Sequence, residues 1–180
     1  MSDVVVRTHD GSAPDALIGQ IVDLYAAVFA EPPYGEGPED VEGFRELLAV
    51  ELPQPGFRLV TAAVDAELVG FAYGYSLRAA TRWWEGIAPP PPPEFTAERD
   101  GRTFAIKELA VASSYRRRGI GRCLHGALLG RRTEERATLT VRPDATPALA
   151  AYESWNWSRL GVVRPDAGEI AYVVMVRSLP

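Results

Sequence analysis

The sequence predicts a single-domain mixed α/β layer fold spanning residues 1–180, and three observations carry that expectation. Apolar residues recur at strand and helix periods in the order β-α-α-β-β-β-α-β-α-β, with no internal repeat. A length of 180 residues with 47% hydrophobic and 24% charged side chains suits one domain with a core of useful size. Between Leu109 and Leu124 a strand runs into a tight basic glycine turn, which opens an amphipathic helix.

Val4 to Thr8 is β-rich and reads as the first strand. Pro14-Asp15 introduces a helix in which Leu17, Ile18, Ile21, Leu24, Tyr25, Val28 and Phe29 recur at helical spacing. Glu31-Pro32-Pro33-Tyr34-Gly35 ends it, because neither proline continues the hydrogen-bond ladder. A second helix runs from about Glu39 to Val50 on a stripe of Val41, Phe44, Leu47 and Leu48, and Pro53 and Pro55 stop it. Phe57 to Val64 and Leu68 to Leu77 form strands joined by Asp65-Ala66-Glu67. From Arg78 to Asp100 the pattern collapses into a long loop with Trp83, Trp84 and five consecutive prolines, Pro89 to Pro93; such a loop covers a site or is partly disordered. Thr103 to Val111 is the next strand, followed by the turn and a helix from about Gly119 to Arg131. Ala137 to Val141 is a strand, Thr146-Pro147 is a helix cap and first residue for a short helix to Glu153, and Ala171 to Val176 is the last strand.

Composition narrows the function. A net charge of −5 argues against general nucleic-acid binding. One cysteine, Cys123, permits no intramolecular disulfide, and two distant histidines, His9 and His125, offer no metal-ligand spacing. The Met1-Ser2-Asp3 start lacks a basic leader, and no apolar run approaches a membrane span, so a cytoplasmic protein that binds neither membrane nor nucleic acid is expected. Lys107 is the only lysine; the arginine bias reads as a coding effect rather than chemistry.

The turn is the most informative segment. It aims consecutive backbone N–H groups at one point, at the positive end of a helix dipole, which suits a phosphate or pyrophosphate. Arg116, Arg117, Arg118 and Arg122 crowd that positive end. There a favourable charge is worth about 0.3–1 kcal/mol, so cations are poorly placed for stability and a bound anion accounts for them. The plainer alternative is an arginine-rich helix start whose glycines serve turn geometry alone.

The chain resembles the GNAT N-acetyltransferase superfamily. That family carries a strand, a Q/R-x-x-G-x-G/A turn and a helix, matched here by Arg116, Gly119 and Gly121. Downstream it often shows an L-Y-E-x-x-G-F segment; Ala151-Tyr152-Glu153-Ser154-Trp155-Asn156-Trp157 matches at Tyr152 but lacks the Gly-Phe pair. Asp144 and Thr146 stand where the family often has an asparagine. The resemblance implies a mostly antiparallel central sheet flanked by helices, acetyl-CoA as donor and an amine as acceptor.

On that reading the backbone of Arg117, Arg118, Gly119, Ile120, Gly121 and Arg122 holds the pyrophosphate, with Arg116 at the head of the turn. An N–H of Leu109 or Val111 binds the thioester oxygen. Tyr152 is the candidate acid for the departing thiolate, the alternative being a half-buried core aromatic. Glu108 is the candidate base: it shares a strand face with Ile106 and Ala110, opposite Lys107, Leu109 and Val111, and apolar flanks raise a carboxyl toward working pH. A rim salt bridge is its alternative, and a bulge would swap the faces. Tyr34, among Glu31, Glu36, Glu39, Asp40 and Glu42, with Trp83 and Trp84, are acceptor candidates; helix-start acidity and loop anchoring are the plainer readings. Cys123 reads as packing, and His125 as a helix-surface or boundary residue.

These features predict an N-acetyltransferase acting by direct transfer on a primary amine of a small molecule rather than a protein, without metal. A non-catalytic acyl-CoA-binding or regulatory module and a generic nucleotide-phosphate binder are the competing readings. Pairing of the last strands between two copies leaves a homodimer open.

Overall fold

The apolar period read from Leu17 to Phe29 forms helix α1 (Asp15–Phe29), which buries Ile21, Val22, Leu24, Tyr25, Val28 and Phe29. The computed structural model describes residues 3–165 and 170–180; Met1 and Ser2, read for a leader, lie outside them. Helix α2 (Pro38–Glu51) starts one residue earlier than expected, on a proline whose missing N–H has no ladder role there. The Asp40 carboxylate accepts the Gly37 N–H at 2.8 Å. Leu47, expected in the α2 stripe, is exposed, and Glu51 is buried instead.

By contacts the chain divides into two compact units, Met1–Tyr75 with Ile106–Arg131 and Ser76–Ala105 with Arg132–Pro180. In the first, β1 (Val5–Asp10) pairs antiparallel with β2 (Arg58–Val64), and β2 with β3 (Glu67–Ser76). Asp65 and Ala66 both take positive φ, 49° and 68°. That is the two-residue hairpin whose twist matches the strands, so Glu67, expected in the connection, belongs to β3. One sheet face carries Phe57, Leu59, Phe71 and Tyr73 into a core with α1 and α2. Tyr25 stacks on Phe44 at 3.8 Å there, and Phe44 approaches Phe71 at 6.2 Å.

β4 (Thr103–Val111) occupies the range the sequence predicts and runs from the second unit into the first. In the second unit its start pairs parallel with β5 (Arg136–Val141), Thr103 opposite Arg136. β7 (Tyr172–Ser178) pairs antiparallel with β5 and with β6 (Ser158–Val163). The strand order is β1-β2-β3-β4-β5-β7-β6, a mixed sheet.

The sequence reading holds no strand at 158–163. Gly161 and a register shift between Arg159 and Gly161 interrupt the alternation that would have shown it. The glycine has a role: a Cβ there would lie 2.7 Å from Ile87 Cγ2 and 2.9 Å from the Ala88 oxygen. This closeness lets Ala88 and Val162 exchange backbone hydrogen bonds of 2.8 and 2.9 Å. The 78–100 loop is therefore tied to β6 within its own unit, and it contains a single helical turn, α3 (Pro93–Thr96).

Helix α4 (Ile120–Leu129) follows the glycine turn, and α5 (Thr146–Ser154) follows β5. Thr146 does not cap α5: Ala145 holds the cap position without a side-chain bond, and Pro147 lies in the first turn. On α4, Ile120, Leu124, His125 and Leu128 are buried while Cys123 is exposed. Both expectations there reverse, because the buried stripe runs 120–124–128 and takes in residue 125 rather than 123.

Candidate active site

The glycine turn sits in the first unit, at the end of β4. Ser113 to Tyr115 make one 3-10 turn, after which Arg117 takes φ 61° and Gly119 φ 81°, both left-handed, on either side of Arg118. Alternation of this kind turns successive N–H groups inward into a concavity that accepts anionic oxygens. The first ladder bond runs from Cys123 N to Gly119 O at 3.0 Å. Amides of Ile120, Gly121 and Arg122 therefore stand outside the helix ladder, as first-turn donors do. Chain geometry here matches the chemistry of a phosphate group.

Two devices fix the turn. Gly70 of β3 lets α4 lie close: a Cβ there would sit 3.0 Å from Leu124 Cδ1 and 3.1 Å from the Ala110 oxygen. Arg116 reaches back, donating from Nε to the Val111 carbonyl at 3.0 Å and from Nη1 to Glu31 at 2.7 Å. Its guanidinium is thus a brace that joins the turn to the residues after α1. The Arg116 hydrogen bond, with a smaller one from Ser113, holds the Glu31 carboxyl below its ordinary value. Arg118 lies 5.2 Å from the Tyr115 ring centroid, while Arg117 and Arg122 are exposed.

Glu108 lies on β4, three residues before Val111, with Leu109 between them half-buried. Burial is the largest cause raising its carboxyl from 4.5 to about 8; Lys107 pulls it down, and Glu36 and Glu51 push it up. Its surroundings are therefore more polar than the apolar flank that strand alternation suggests. Lys107 Nζ lies 3.2 Å from Glu51 Oε1, and the Tyr73 hydroxyl donates to Glu51 Oε2 at 2.7 Å. Lys107 and Glu108, which a straight strand would send to opposite faces, thus both act on Glu51. The Tyr25 hydroxyl hydrogen-bonds Glu36, and Tyr34 meets Phe29 edge-on at 4.8 Å.

Glu51 and Lys107 escaped the sequence reading. A glutamate ending an amphipathic helix reads as solvent-facing; being the only lysine was the one available signal.

In the second unit, Tyr152 of α5 is buried, edge-on to Trp155 at 5.6 Å and to Trp157 at 5.9 Å. Asn156 takes φ 64°, the left-handed conformation a glycine would supply. Trp157 N donates to Tyr152 O at 3.1 Å and Asn156 N to Glu153 O at 3.2 Å, which closes the helix in a left-handed C-terminal cap. Asn156-Trp157 thus does the physical work of the missing Gly-Phe pair: a tolerated left-handed residue, then a buried aromatic. Asp144 is paired with Arg142 at 2.6 Å.

Trp84 is buried against Phe95, donates to Glu98 at 2.9 Å and lies 4.7 Å from the Arg136 guanidinium. Trp83 is half-buried and donates to Thr138 at 3.0 Å. Both indoles anchor the 78–100 loop. Among the described residues no group of three or more His, Cys, Asp or Glu is placed to hold a metal, and no helix is long and apolar enough to cross a membrane.

A family model described as the acetyltransferase (GNAT) family matches residues 20–157. No curated protein sequence matches the chain with significance. Among solved structures, a protein of Pyrococcus horikoshii OT3 superposes with a TM-score of 0.70 at 18% identity, covering 99% of both chains. The ribosomal-protein-S18-alanine N-acetyltransferase of Escherichia coli gives 0.65 at 15% identity, over 97% of this chain and 94% of its own. A GNAT family acetyltransferase of Elizabethkingia anophelis, solved with acetyl-CoA bound, gives 0.62 at 15%, over 98% of each. At these identities the structures establish a shared fold, and the sequence match establishes the lineage: the chain belongs to the acetyltransferase (GNAT) family.

Proposed function

We propose that this protein moves an acetyl group from acetyl-CoA to a primary amine of a small-molecule acceptor by direct transfer, with both substrates bound together. The observation that carries this reading is the turn, where left-handed Arg117 and Gly119 precede helix amides outside the ladder. Backbone N–H groups from Arg117 through Arg118, Gly119, Ile120 and Gly121 to Arg122 hold the pyrophosphate, and Arg116 keeps the turn in shape. Acetyl-CoA supplies an activated acyl thioester when bound. The N–H of Leu109 or Val111 donates to the acyl oxygen as charge gathers on it.

Glu108 takes the proton of the incoming ammonium, directly or through water. A carboxyl held near 8 is well matched to that task, because its proton affinity lies close to working pH. Tyr152 returns a proton to the departing sulfur. Tyr34 and Trp83 are assigned to the acceptor, with Trp84 fixing the loop that carries Trp83.

Release of free thiol from acetyl-CoA across a panel of amines tests the reaction. Turnover with at least one amine is expected, and Tyr152→Phe should lower it about tenfold or more while leaving CoA affinity intact. Silence across the panel despite tight CoA binding would leave a non-catalytic acyl-CoA module. ATP competing as well as CoA would leave a nucleotide-phosphate binder.

A further inference from the structure

The first unit encloses a cluster of ionisable groups that the proposed reaction does not yet use. At its centre is Glu51, the last residue of α2, only 3% exposed. It accepts the Tyr73 hydroxyl at 2.7 Å and the Tyr75 hydroxyl at 3.4 Å, and it pairs with Lys107 at 3.2 Å. The Lys107 ammonium also lies 5.8 Å from the Tyr75 ring centroid. A lysine on a long flexible stem has no fixed position of its own. Here a buried carboxylate and a tyrosine ring set where its charge resides, one residue from Glu108.

We propose that Glu51 and Lys107 form a positioning pair for Glu108, Glu51 seating the ammonium of Lys107 so that the two set opposing fields on the base. Resting on the reading of Glu108 as the group that takes the amine proton, the pair determines at which pH the enzyme becomes active. The groups facing Glu108 come from each neighbouring element: Tyr25 of α1, Glu36 of the following loop, Glu51 of α2, Tyr73 of β3 and Lys107 of β4 itself. Of these, Lys107 is the one cation, and it favours the ionised base. Glu51 acts twice: its own charge disfavours ionisation, and its grip fixes the distance of the cation.

A purely structural ion pair behaves differently from such a device. Breaking a structural pair from either side has one consequence, a looser site. Breaking this pair from opposite sides moves the base in opposite directions. In Lys107→Met, Tyr73 and Tyr75 still donate to Glu51 and keep it in place, so the cation alone is lost.

The test is a carbon-13 NMR titration of the glutamate carboxyls in the intact protein, with a pH profile of kcat/KM alongside. Glu51→Gln keeps an amide oxygen where the Lys107 ammonium is seated and removes only the carboxylate charge. It should therefore move the Glu108 midpoint down by roughly half a unit or more, and Lys107→Met should move it up by a similar amount. Lys107→Arg should leave it near the wild-type position. At pH 7 the half-unit rise in Lys107→Met corresponds to a roughly threefold loss of kcat/KM. Midpoints that shift the same way in both variants, or in neither, overturn the pair as a positioning device. Should Glu51→Gln fail to fold, Lys107→Met against Lys107→Arg decides, an unmoved midpoint in Lys107→Met overturning it. Opposed NMR shifts with a stationary pH profile would uphold the coupling and overturn Glu108 as the base, so the two failures are told apart.

Discussion

The protein buries carboxylates in two regions and treats them in opposite ways. In the second unit each is matched by a guanidinium. Glu134 takes a bidentate bond from Arg132, whose plane lies 3.9 Å from the Phe104 ring, and Ser76 adds a hydroxyl. Glu98 accepts Arg136, Thr103 and Trp84 on one oxygen. Burial raises the Glu134 carboxyl, but the Arg132 and Ser76 hydrogen bonds with the Arg132 charge more than offset it, and the group ends below its ordinary value. In the first unit, the Lys107 ammonium pairs with Glu51, both Glu36 and Glu51 push Glu108 up, and Glu108 ends far above its ordinary value. Matched pairs hold a fold; an under-compensated carboxyl stores proton affinity, which is what chemistry uses.

The largest effect expected from this contrast is in the matched region. Arg136→Met leaves Glu98 buried beside an apolar side chain and frees the Phe95 carbonyl that the guanidinium holds at 2.8 Å. A loss of about 3–5 kcal/mol in urea unfolding is expected, the cost of an uncompensated buried charge. A loss near zero would show that the pairing adds nothing to the loop's anchorage.

Glu108→Gln is the counterpart. Turnover should fall roughly 10²- to 10⁴-fold, the usual range for a positioned proton acceptor. Stability should move the other way, and its pH dependence gives the sign. With the native carboxyl raised from 4.5 to about 8, the folded state holds a proton that the unfolded chain has released between those values. Wild-type stability therefore declines as pH rises through that window. The glutamine variant escapes the decline, so its Tm advantage should widen from pH 4.5 to 8 and then level off. A Tm difference independent of pH would place Glu108 in solvent.

The smallest effect on stability is expected from Arg116→Ala. Its pair with Glu31 is about two-fifths exposed on both sides and is worth at most about 1 kcal/mol. CoA affinity should weaken several-fold, because the brace that shapes the turn is gone. Unchanged CoA affinity would make the pair incidental to the turn.

What could be read in advance follows how local each signal is. The strand, glycine turn and α4 declare themselves through neighbours in sequence, as does α1 through its apolar period. β6 was hidden because Gly161 and the shifted register break its alternation, and its reason for being a glycine lies at Ile87 and Ala88. Glu51 is buried only because Tyr73, Tyr75 and Lys107 arrive from distant strands. Cys123 and His125 exchanged their expected places through a small rotation of the stripe on α4. The Asn156-Trp157 pair looked like a departure from the family segment, and only its φ of 64° shows that it meets the same requirement.

The most direct measurement is calorimetry of CoA binding to the wild-type protein and to Gly119→Val. At φ 81° with nothing within 4 Å of a Cβ, the substitution strains the backbone without a clash, so the amides turn away while the fold around them keeps its contacts. Saturable heat is expected from the wild-type protein, and at least a tenfold weaker affinity, about 1.4 kcal/mol, from the variant. No heat with the wild-type protein, or an unchanged affinity in a variant whose φ has been forced, would contradict the assignment of the pyrophosphate to these main-chain amides.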